Sequence, residues 1–447
     1  QPKMSTFNQQ LEEQLKRFNL DQIQTSNCIR LYNQYQTYIK ENKKIDWSKV
    51  QPLQDSDFKF YENLPQPSEQ QIQDTLKKVA VLKLNGGLGT SMGCSGPKSL
   101  LEVRDGLTFL DFSMRQLKYL NDKYHSSVPL ILMNSFNTDK QTQEHVSKCN
   151  PGIQIFHFNQ FELPRMDGDT NMPAQLSADQ QFYPPGHGYV YECLQRSPVM
   201  AQLLEKGIEY VFISNADNLG AVLDPKIAFY CLQSQMGFVS EQTLKTLADV
   251  KGGVLMRYEN STRLLETAQV PAAHMDDFCN ISVFKYFNVN NLWMNLQQLN
   301  KKDHIELDLI LNPKKVEGKN IIQLEVAAGA NIANFPATGL VVGRERFQPV
   351  KKSGDLLLLQ SDCFEILEDF RLKQLVNKQP IVNIAHQVTA MQVMFPRMAI
   401  PSLKNCVRFE VNGEVCCDQG AEIIGELVVA KGEKMHLGKG QHGKVVE

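Results

Sequence analysis

Residues 79–99 read Val-Ala-Val-Leu-Lys-Leu-Asn-Gly-Gly-Leu-Gly-Thr-Ser-Met-Gly-Cys-Ser-Gly-Pro-Lys-Ser. The apolar start predicts a buried strand over 79–84. The five glycines that follow, between 86 and 96, are predicted to let the backbone adopt positive φ and approach an anion closely. The N-terminus of a following helix would add positive potential, and Lys98 supplies a compact cation for a phosphate oxygen. The stretch therefore predicts a phosphate-binding loop at the end of a strand.

The composition is that of a large globular chain. It has 447 residues, of which 42% are hydrophobic and 21% charged, so we expect two or three domains with sizeable cores. A formal net charge of −2 gives no chain-wide attraction to nucleic acid or anionic lipid. No apolar stretch reaches the roughly 20 residues of a membrane helix, and the polar start carries no secretory h-region. A cytoplasmic protein that binds neither nucleic acid nor membrane is expected.

The ten cysteines are scattered along the chain, without a Cys-x-x-Cys pair. This pattern lacks the usual spacing of zinc ligands and is too sparse for a disulfide framework. Free thiols in a reducing compartment are therefore expected. No long heptad pattern indicates self-association, so a monomer is compatible with the sequence, which leaves the oligomeric state open.

Strand-like and helix-like patterns alternate through the middle of the chain. In order, they are strand 79–84, helix 109–121, strands 128–134 and 153–158, helix 198–206 and strand 210–214. Such alternation predicts a mostly parallel sheet covered on both faces, with ligands at the carboxyl ends of its strands. Strand-like runs at 252–258, 281–287 and 321–324 predict an extension of the sheet that closes over the site.

The two ends of the chain have different textures. Residues 7–42 have apolar side chains at near-helical spacing, which predicts a helical segment packed on the main body. The polar, proline-containing stretch 43–70 predicts an irregular connection. After about residue 395, short apolar runs between glycine turns favour a small β-helix-like domain, with a plain β-hairpin cap nearly as favoured.

Two motifs follow the glycine-rich loop. In Tyr183-Pro-Pro-Gly-His-Gly-Tyr, stiff prolines and flanking glycines would let His187 donate to a hydroxyl or phosphate and Gly188 meet a nucleobase edge. A purely structural histidine is an equal alternative. Asp217 follows the apolar strand 210–214, where its carboxylate suits Mg²⁺, which prefers one or two carboxylates together with phosphates. Capping of a following helix is the alternative for this residue.

Polar residues further along predict the rest of a site. Lys351 follows a short apolar strand, and a second cation facing Lys98 would neutralise charge on a transferring phosphoryl group. Glu266 and an asparagine cluster that starts at Asn288 offer the donors and acceptors that sugar hydroxyls need. Alone, each of these residues is also typical of a solvated surface.

Together these segments resemble the eukaryotic UTP–glucose-1-phosphate uridylyltransferase family, the UDP-glucose pyrophosphorylases. The first segment fits the sugar-nucleotide pyrophosphorylase signature Leu-x-x-Gly-x-Gly-Thr-x-Met-x-x-x-x-Pro-Lys, from Leu84 to Lys98. The resemblance spans about residues 75–430 and continues through Tyr-Pro-Pro-Gly-His-Gly, Asn218-Leu-Gly-Ala, Ala248-Asp-Val-Lys-Gly-Gly and Asn290-Asn-Leu-Trp.

The resemblance implies an α/β fold. Its centre would be a nucleotide-binding (Rossmann-like, GT-A-type) mixed sheet with helices on both faces. An N-terminal helical segment and a small C-terminal β-helix-like domain would flank it. We place the N-terminal segment and its linker at 1–75, the catalytic domain at 76–385 and the C-terminal domain at 386–447.

The resemblance also implies reversible uridylyl transfer, in which UTP and glucose 1-phosphate give UDP-glucose and pyrophosphate with Mg²⁺ as cofactor. Lys98 and Lys351 are the implied catalytic cations, and Asp217 is the implied metal ligand. The implied nucleotide contacts are Leu84, Asn85, Gly86, Gly87, Gln160 and Gly188. The implied sugar-phosphate contacts are His187, Asn215, Glu266, Asn288 and Asn290.

Three residues depart from the usual family pattern. Ser95 stands where a lysine is usual, Tyr189 where an aspartate is usual, and Leu247 where an arginine is usual. A lost charge-assisted contact costs about 1.5–3 kcal/mol, so activity could fall roughly ten- to hundredfold. The alternatives are a UDP-sugar or UDP-N-acetylhexosamine pyrophosphorylase, or a weakly active or non-catalytic phosphosugar-binding or scaffold protein of the same fold. Ser91 counts against the first, because those enzymes usually carry an arginine there.

Overall fold

The computed structural model describes residues 4–40, 45–89, 92–93, 96–246, 249–385 and 399–444. Its α-helices are α1 (Met4–Leu15), α2 (Gln22–Lys40), α3 (Glu69–Leu76), α4 (Phe109–Tyr124), α5 (Asp139–Cys149), α6 (Val190–Arg196), α7 (Pro198–Glu205), α8 (Pro225–Ser234), α9 (Met275–Cys279), α10 (Leu296–Asn300) and α11 (Ser353–Gln360). Its strands are β1 (Val50–Pro52), β2 (Phe58–Phe60), β3 (Val79–Leu84), β4 (Glu102–Arg104), β5 (Leu107–Thr108), β6 (Leu130–Asn134), β7 (Ile155–Asn159), β8 (Leu163–Pro164), β9 (Met166–Asp167), β10 (Phe182–Tyr183), β11 (Tyr210–Asn215), β12 (Phe238–Leu244), β13 (Val254–Tyr258), β14 (Ser261–Leu265), β15 (Tyr286–Asn295), β16 (Leu309–Val316), β17 (Lys319–Val326), β18 (Ala337–Val341), β19 (Phe364–Ile366), β20 (Leu372–Gln374), β21 (Ile381–Ile384), β22 (Cys406–Val411), β23 (Glu414–Cys417), β24 (Ala421–Ile423), β25 (Gly425–Val429), β26 (Lys434–Leu437) and β27 (Gly440–His442).

An eight-stranded mixed sheet forms the centre of the molecule, in the order β2-β18-β12-β15-β11-β3-β6-β7. Strands β11, β3, β6 and β7 are mutually parallel, whereas β15 runs antiparallel to both of its neighbours. Every residue of β3 and β6 is buried, as expected for parallel strands covered on both faces. The predicted mixed α/β sheet is confirmed.

Alternation along β3 distributes its side chains between two cores. Val79 and Val81 pack with residues of α3, α4 and α8 on one face. Ala80, Leu82 and Leu84 pack with residues of α1, α2, α6 and α7 on the other. Because successive side chains of a strand point to opposite faces, a continuous apolar run requires helices on both sides of the sheet. The sequence prediction of two helical layers is confirmed.

The N-terminal segment is helical, as predicted, but its connection to the body is more ordered than expected. Within residues 45–68, β1 pairs with β13, and β2 forms an edge of the central sheet by pairing with β18. The sequence missed these strands because each has only three residues, which is too short for a visible period.

The C-terminal strands stack as a parallel coil. Strands β21, β22 and β25 pair in parallel, as do β23 with β26 and β24 with β27. Phe409, Val411 and Val429 are among the buried side chains between them. The β-helix-like expectation is correct, and the hairpin alternative is wrong because a hairpin joins its strands antiparallel.

Two local predictions between residues 280 and 360 are wrong. The strand expected over 281–287 begins only at Tyr286, because Ile281 and Val283 are exposed. The segment before Lys351 is not a strand but follows a 3₁₀ turn over Arg344–Arg346. The predicted sheet extension is present as the hairpins β13–β14 and β16–β17. In the described part of the chain, no helix has the length and apolar character needed to cross a bilayer.

A buried ion pair joins the central sheet to the segment that leads to Lys351. Glu241 on β12 accepts from Arg346 at 2.6 and 2.7 Å, and both residues are buried. Glu241 also accepts from the Trp293 indole at 3.0 Å and from the Asn291 amide at 2.9 Å. Burial disfavours the charged guanidinium, but Glu241 outweighs this effect and raises the pKa of Arg346.

We predict that Arg346→Met lowers the free energy of unfolding by about 3–5 kcal/mol, because Glu241 is left buried without a counter-charge. Arg257→Met breaks a pair whose arginine is 44% exposed and should cost about 0–1 kcal/mol. Urea denaturation of both variants measures the difference. Equal losses of unfolding free energy in the two variants would show that the buried pair stabilises the fold no more than the exposed pair does.

Candidate functional site

Several of the predicted site residues lie where parallel strands end. Leu84 at the end of β3 lies opposite Asn215 at the end of β11. The glycine-rich loop and the turn that holds Asp217 therefore leave the same edge of the sheet. Gln160, which follows β7, donates its backbone N–H to Asn134 O at 2.9 Å and so joins this edge.

The first turn of the loop is built around Gln160 and Asn85. A Cβ on Gly86 would lie 2.0 Å from Gln160 Nε2, so only glycine leaves room for that amide. Asn85 is buried and donates its side-chain amide to Asn134 Oδ1 at 2.7 Å and to Thr142 Oγ1 at 3.0 Å. The Asn85 side chain therefore fixes the start of the loop to β6 and α5.

The rest of the loop folds back on itself. Gly87 O accepts from the backbone N–H of Lys98 at 3.0 Å. Of the five glycines, only Gly93 has positive φ, so the expectation that all five use this region is wrong. The expected helix N-terminus is also absent at the loop, which is followed by a 3₁₀ turn over Lys98–Leu100. The next α-helix is α4, whose first turn is capped by Thr108.

Lys98 and Asp217 form an ion pair across the edge of the sheet. The Lys98 ammonium donates to Asp217 Oδ2, and each side chain is 18% exposed. The sequence predicted that both residues face a ligand but not that they contact each other. Their pairing places a cation and a carboxylate at one point beside the glycine-rich loop.

Lys351 approaches this point from a distant part of the chain. Val350 donates its backbone N–H to Asp217 O at 3.3 Å. Lys351 itself is exposed, and its ammonium lies 5.9 Å from the centre of the Phe347 ring. Burial raises the pKa of Glu266, and the charge of Lys351 partly offsets that rise. The structure thus brings Lys351 near both Asp217 and Glu266.

The predicted asparagines contact one another. Asn290 donates from Nδ2 to Asn215 Oδ1 at 2.9 Å and from its backbone to Asn288 Oδ1 at 3.0 Å. Asn290 has φ of 58°, a left-handed conformation that asparagine tolerates better than most residues. Asn290 Oδ1 is buried and has no hydrogen-bond partner among the described residues. This acceptor is therefore an orphaned polar atom within the asparagine group.

His187 is held as a neutral imidazole. Its Nδ1 accepts the backbone N–H of Ala328 at 3.0 Å, so Nε2 carries the proton. The ring keeps exposed surface, yet the surrounding protein disfavours its charged form and lowers its pKa to about 4. Ala328 begins the 3₁₀ helix Ala328–Asn334, and the residue after it is Gly329. A Cβ on Gly329 would lie 2.9 Å from Asn288 Nδ2. His187 therefore lies close to the asparagine group.

Gly188 and Tyr189 are packed into the protein. A Cβ on Gly188 would lie 2.9 Å from Leu307 Cδ1 and from Val326, so the position has no room for a side chain. Tyr189 is buried, with its ring 5.8 Å from that of Phe161 in an edge-to-face contact. The remaining positions that distinguish the chain, Ser91, Ser95 and Leu247, lie outside the described residues.

Lys83 lies beneath the site and was missed by the sequence analysis. It is buried on β3 and donates to Ser214 Oγ at 3.0 Å and Ala221 O at 2.8 Å. Burial, with a further contribution from Arg346, lowers its pKa to about 7. The available signal was a lysine within a continuous apolar strand, where a charged residue needs dedicated partners.

We predict that His187 stays neutral, with its proton on Nε2, from about pH 8 to about pH 5, although an ordinary histidine titrates near 6.5. Nitrogen-15 NMR of histidine-labelled protein measures this, and His187→Gln identifies the signal. A protonation midpoint above about pH 6 would contradict the neutral assignment.

Comparison with known proteins gives consistent matches over most of the chain. The family model described as UTP–glucose-1-phosphate uridylyltransferase matches residues 26–423. The protein of that name from Musa acuminata is 44% identical over 416 residues, covering 90% of this chain and 89% of the relative. The one from Saccharomyces cerevisiae is 40% identical over 430 residues, covering 92% and 85%.

Comparison with solved structures also gives matches over most of the chain. A Trypanosoma brucei UDP-glucose phosphorylase matches with a TM-score of 0.84 and 34% identity, covering 97% of both chains. A Leishmania major UDP-glucose pyrophosphorylase variant in complex with UDP-glucose matches with a TM-score of 0.81 and 30% identity, covering 96% of this chain and 99% of that one.

Proposed function

The chain belongs to the UTP–glucose-1-phosphate uridylyltransferase family, and on that premise we propose that it interconverts UTP plus glucose 1-phosphate and UDP-glucose plus pyrophosphate. The proposal rests on the meeting of Lys98, Asp217 and the Lys351 segment at one edge of the sheet. The names of the relatives favour glucose 1-phosphate over an N-acetylhexosamine phosphate. Residues 76–385 are the proposed catalytic domain.

The reaction needs alignment and charge neutralisation more than covalent chemistry. A phosphate oxygen of glucose 1-phosphate attacks the α-phosphorus of UTP in line, and the bond to the bridging oxygen of the β-phosphate breaks. Pyrophosphate leaves with that oxygen, and no enzyme-bound intermediate forms. Cations at fixed positions stabilise the charge that develops on the equatorial and leaving oxygens.

Lys98 and Lys351 are the proposed cations. Lys98 is placed by the loop, through its backbone bond to Gly87, and would bind the triphosphate. Lys351 is exposed and free to reach the reacting phosphates. The Lys98 charge is balanced by Asp217, so phosphate oxygens would compete with that carboxylate for the same ammonium.

Asp217 is the residue that would hold Mg²⁺. It offers one partly exposed carboxylate beside the phosphate loop, which fits an ion that takes one or two carboxylates together with substrate phosphates. When bound, the ion would supply further neutralisation of phosphate charge. A phosphate that draws Lys98 away would free the Asp217 oxygen that Lys98 now occupies.

Binding of the sugar and the base is proposed for the neighbouring groups. The unpartnered Asn290 Oδ1 would accept from a sugar hydroxyl, and His187 Nε2 would donate to a hydroxyl or phosphate oxygen. Asn215 and Asn288 contact Asn290. Glu266 lies beside Gly253, whose carbonyl accepts from the Asn288 N–H at 2.8 Å. The backbone of 84–87, with Gln160 and Gly188, would hold the uracil.

A pyrophosphate-release assay tests the activity directly. Purified protein with UTP, glucose 1-phosphate and Mg²⁺ is expected to release pyrophosphate, with N-acetylglucosamine 1-phosphate as the comparison substrate. Calorimetry with UDP-glucose accompanies it. Binding of UDP-glucose without turnover would instead indicate a phosphosugar-binding protein.

We predict that Lys351→Ala lowers kcat by at least about a hundredfold, the cost of removing one preorganised group that stabilises transition-state charge. The Kd for UTP should remain within about threefold, because Lys98 and the loop are intact. Lys314→Ala, which removes an exposed lysine of the β16–β17 hairpin, is the matched control and should have no effect. Near-normal turnover of Lys351→Ala would show that this cation is not used.

A further inference from the structure

Three potential metal ligands meet between helices α4 and α5, among residues that uridylyl transfer does not use. His145 Nε2 lies 2.9 Å from Asp111 Oδ1. Cys149 Sγ lies 3.4 Å from that oxygen and 3.4 Å from His145 Nε2. Each residue directs one ligand atom at the other two, with all three atoms within 4.8 Å.

The arrangement follows from the two helices. His145 and Cys149 are four residues apart on α5, so their side chains lie on one face. Asp111 lies in the first turn of α4, where its Oδ2 accepts from the backbone N–H of Thr108 at 2.9 Å and from its hydroxyl at 2.7 Å. These bonds fix the carboxylate and leave Oδ1 directed at the imidazole and the thiol.

The spacing is close to that of a tetrahedral zinc site. Bonds of about 2.0–2.3 Å at tetrahedral angles separate ligand atoms by roughly 3.3–3.6 Å. The observed separations of 2.9 to 3.4 Å need an adjustment of only about half an ångström. Asp111 is buried, His145 is half-buried and Cys149 is exposed, so the open side faces solvent.

We propose that Asp111, His145 and Cys149 bind a zinc-class divalent transition-metal ion, with water at the fourth position. The sulfur and imidazole ligands select such an ion over Mg²⁺ or Ca²⁺, which take oxygen ligands. In the structure, the His145 imidazole and the Cys149 thiol are joined to Asp111 Oδ1 by hydrogen bonds. Binding releases the thiol proton and moves the imidazole proton to Nδ1.

The ion would link α4 to the helix that supports the phosphate loop. Thr142, one turn before His145 on α5, accepts from the Asn85 side chain at the start of that loop. An ion that binds only the folded state stabilises it in proportion to the logarithm of its concentration over its Kd. The effect of the ion is therefore measurable as stability.

Cobalt provides a direct test on the full-length protein, without a histidine tag or Mg²⁺. Metal-free protein titrated with Co²⁺ is expected to develop a near-ultraviolet thiolate-to-cobalt band and visible tetrahedral bands, saturating at one equivalent. Zn²⁺ should abolish them. Cys149→Ser and His145→Gln should each weaken Zn²⁺ binding by at least about tenfold. Cys416→Ser, which changes another exposed cysteine, is the matched control and should bind normally.

Thermal unfolding with and without Zn²⁺ supplies a second readout. The Tm of the unsubstituted chain and of Cys416→Ser should rise with Zn²⁺, whereas the Tm of Cys149→Ser and His145→Gln should not. A thiolate–cobalt band that persists in Cys149→Ser would place the ion elsewhere. Absence of any band in the unsubstituted chain would show that the cluster is a hydrogen-bond group only. Either result overturns the proposal.

Discussion

The ion pair between Glu241 and Arg346 sets the geometry of the site. Both residues are buried, so water cannot replace either partner of the pair. The pair joins the sheet to a segment from far along the chain. The Arg346 carbonyl accepts from Asn218 at 3.1 Å, which follows Asp217 directly. One buried charge pair therefore fixes both the turn with Asp217 and the chain that leads to Lys351. A hydrophobic contact would hold these segments together but would not define their register as closely.

Most of the polar groups at the candidate site satisfy one another. Lys98 neutralises Asp217, and Asn215 accepts from Asn290. Such internal pairing stabilises this region, since unpaired charges and amides near the core are costly. A ligand that binds these groups would replace existing contacts, so part of its binding energy would be used to break these pairs. The unpartnered Asn290 Oδ1 is an exception, which suits a group that recognises a ligand without a competing bond.

The sequence predicted much of the fold because burial on both faces leaves an unbroken apolar run. The bounds of β3 were predicted correctly, and those of β11 within one residue. Lys83, Glu241 and Arg346 were not recognised, since a charged residue does not by itself reveal a contact partner that is distant in sequence. Spacing rules for cysteine likewise missed Cys149, whose neighbours come from two helices. The glycine-rich motif already indicated a phosphate-binding role for Lys98, whereas Lys351 on its own was equally typical of a solvated surface. The family resemblance was needed to favour the pair as catalytic cations, because sequence alone does not show which distant cations converge.

The buried amine of Lys83 couples folding to proton concentration. Its pKa of about 7 in the folded protein lies below the ordinary value of 10.5 that it regains on unfolding. Between these two values the unfolded chain takes up a proton that the native chain lacks. Alkaline solution therefore favours the native state over that range, and acidification below about pH 7 changes this contribution no further. The native state, in which Lys83 lies on β3 before the glycine-rich loop, is therefore favoured most where this amine is uncharged.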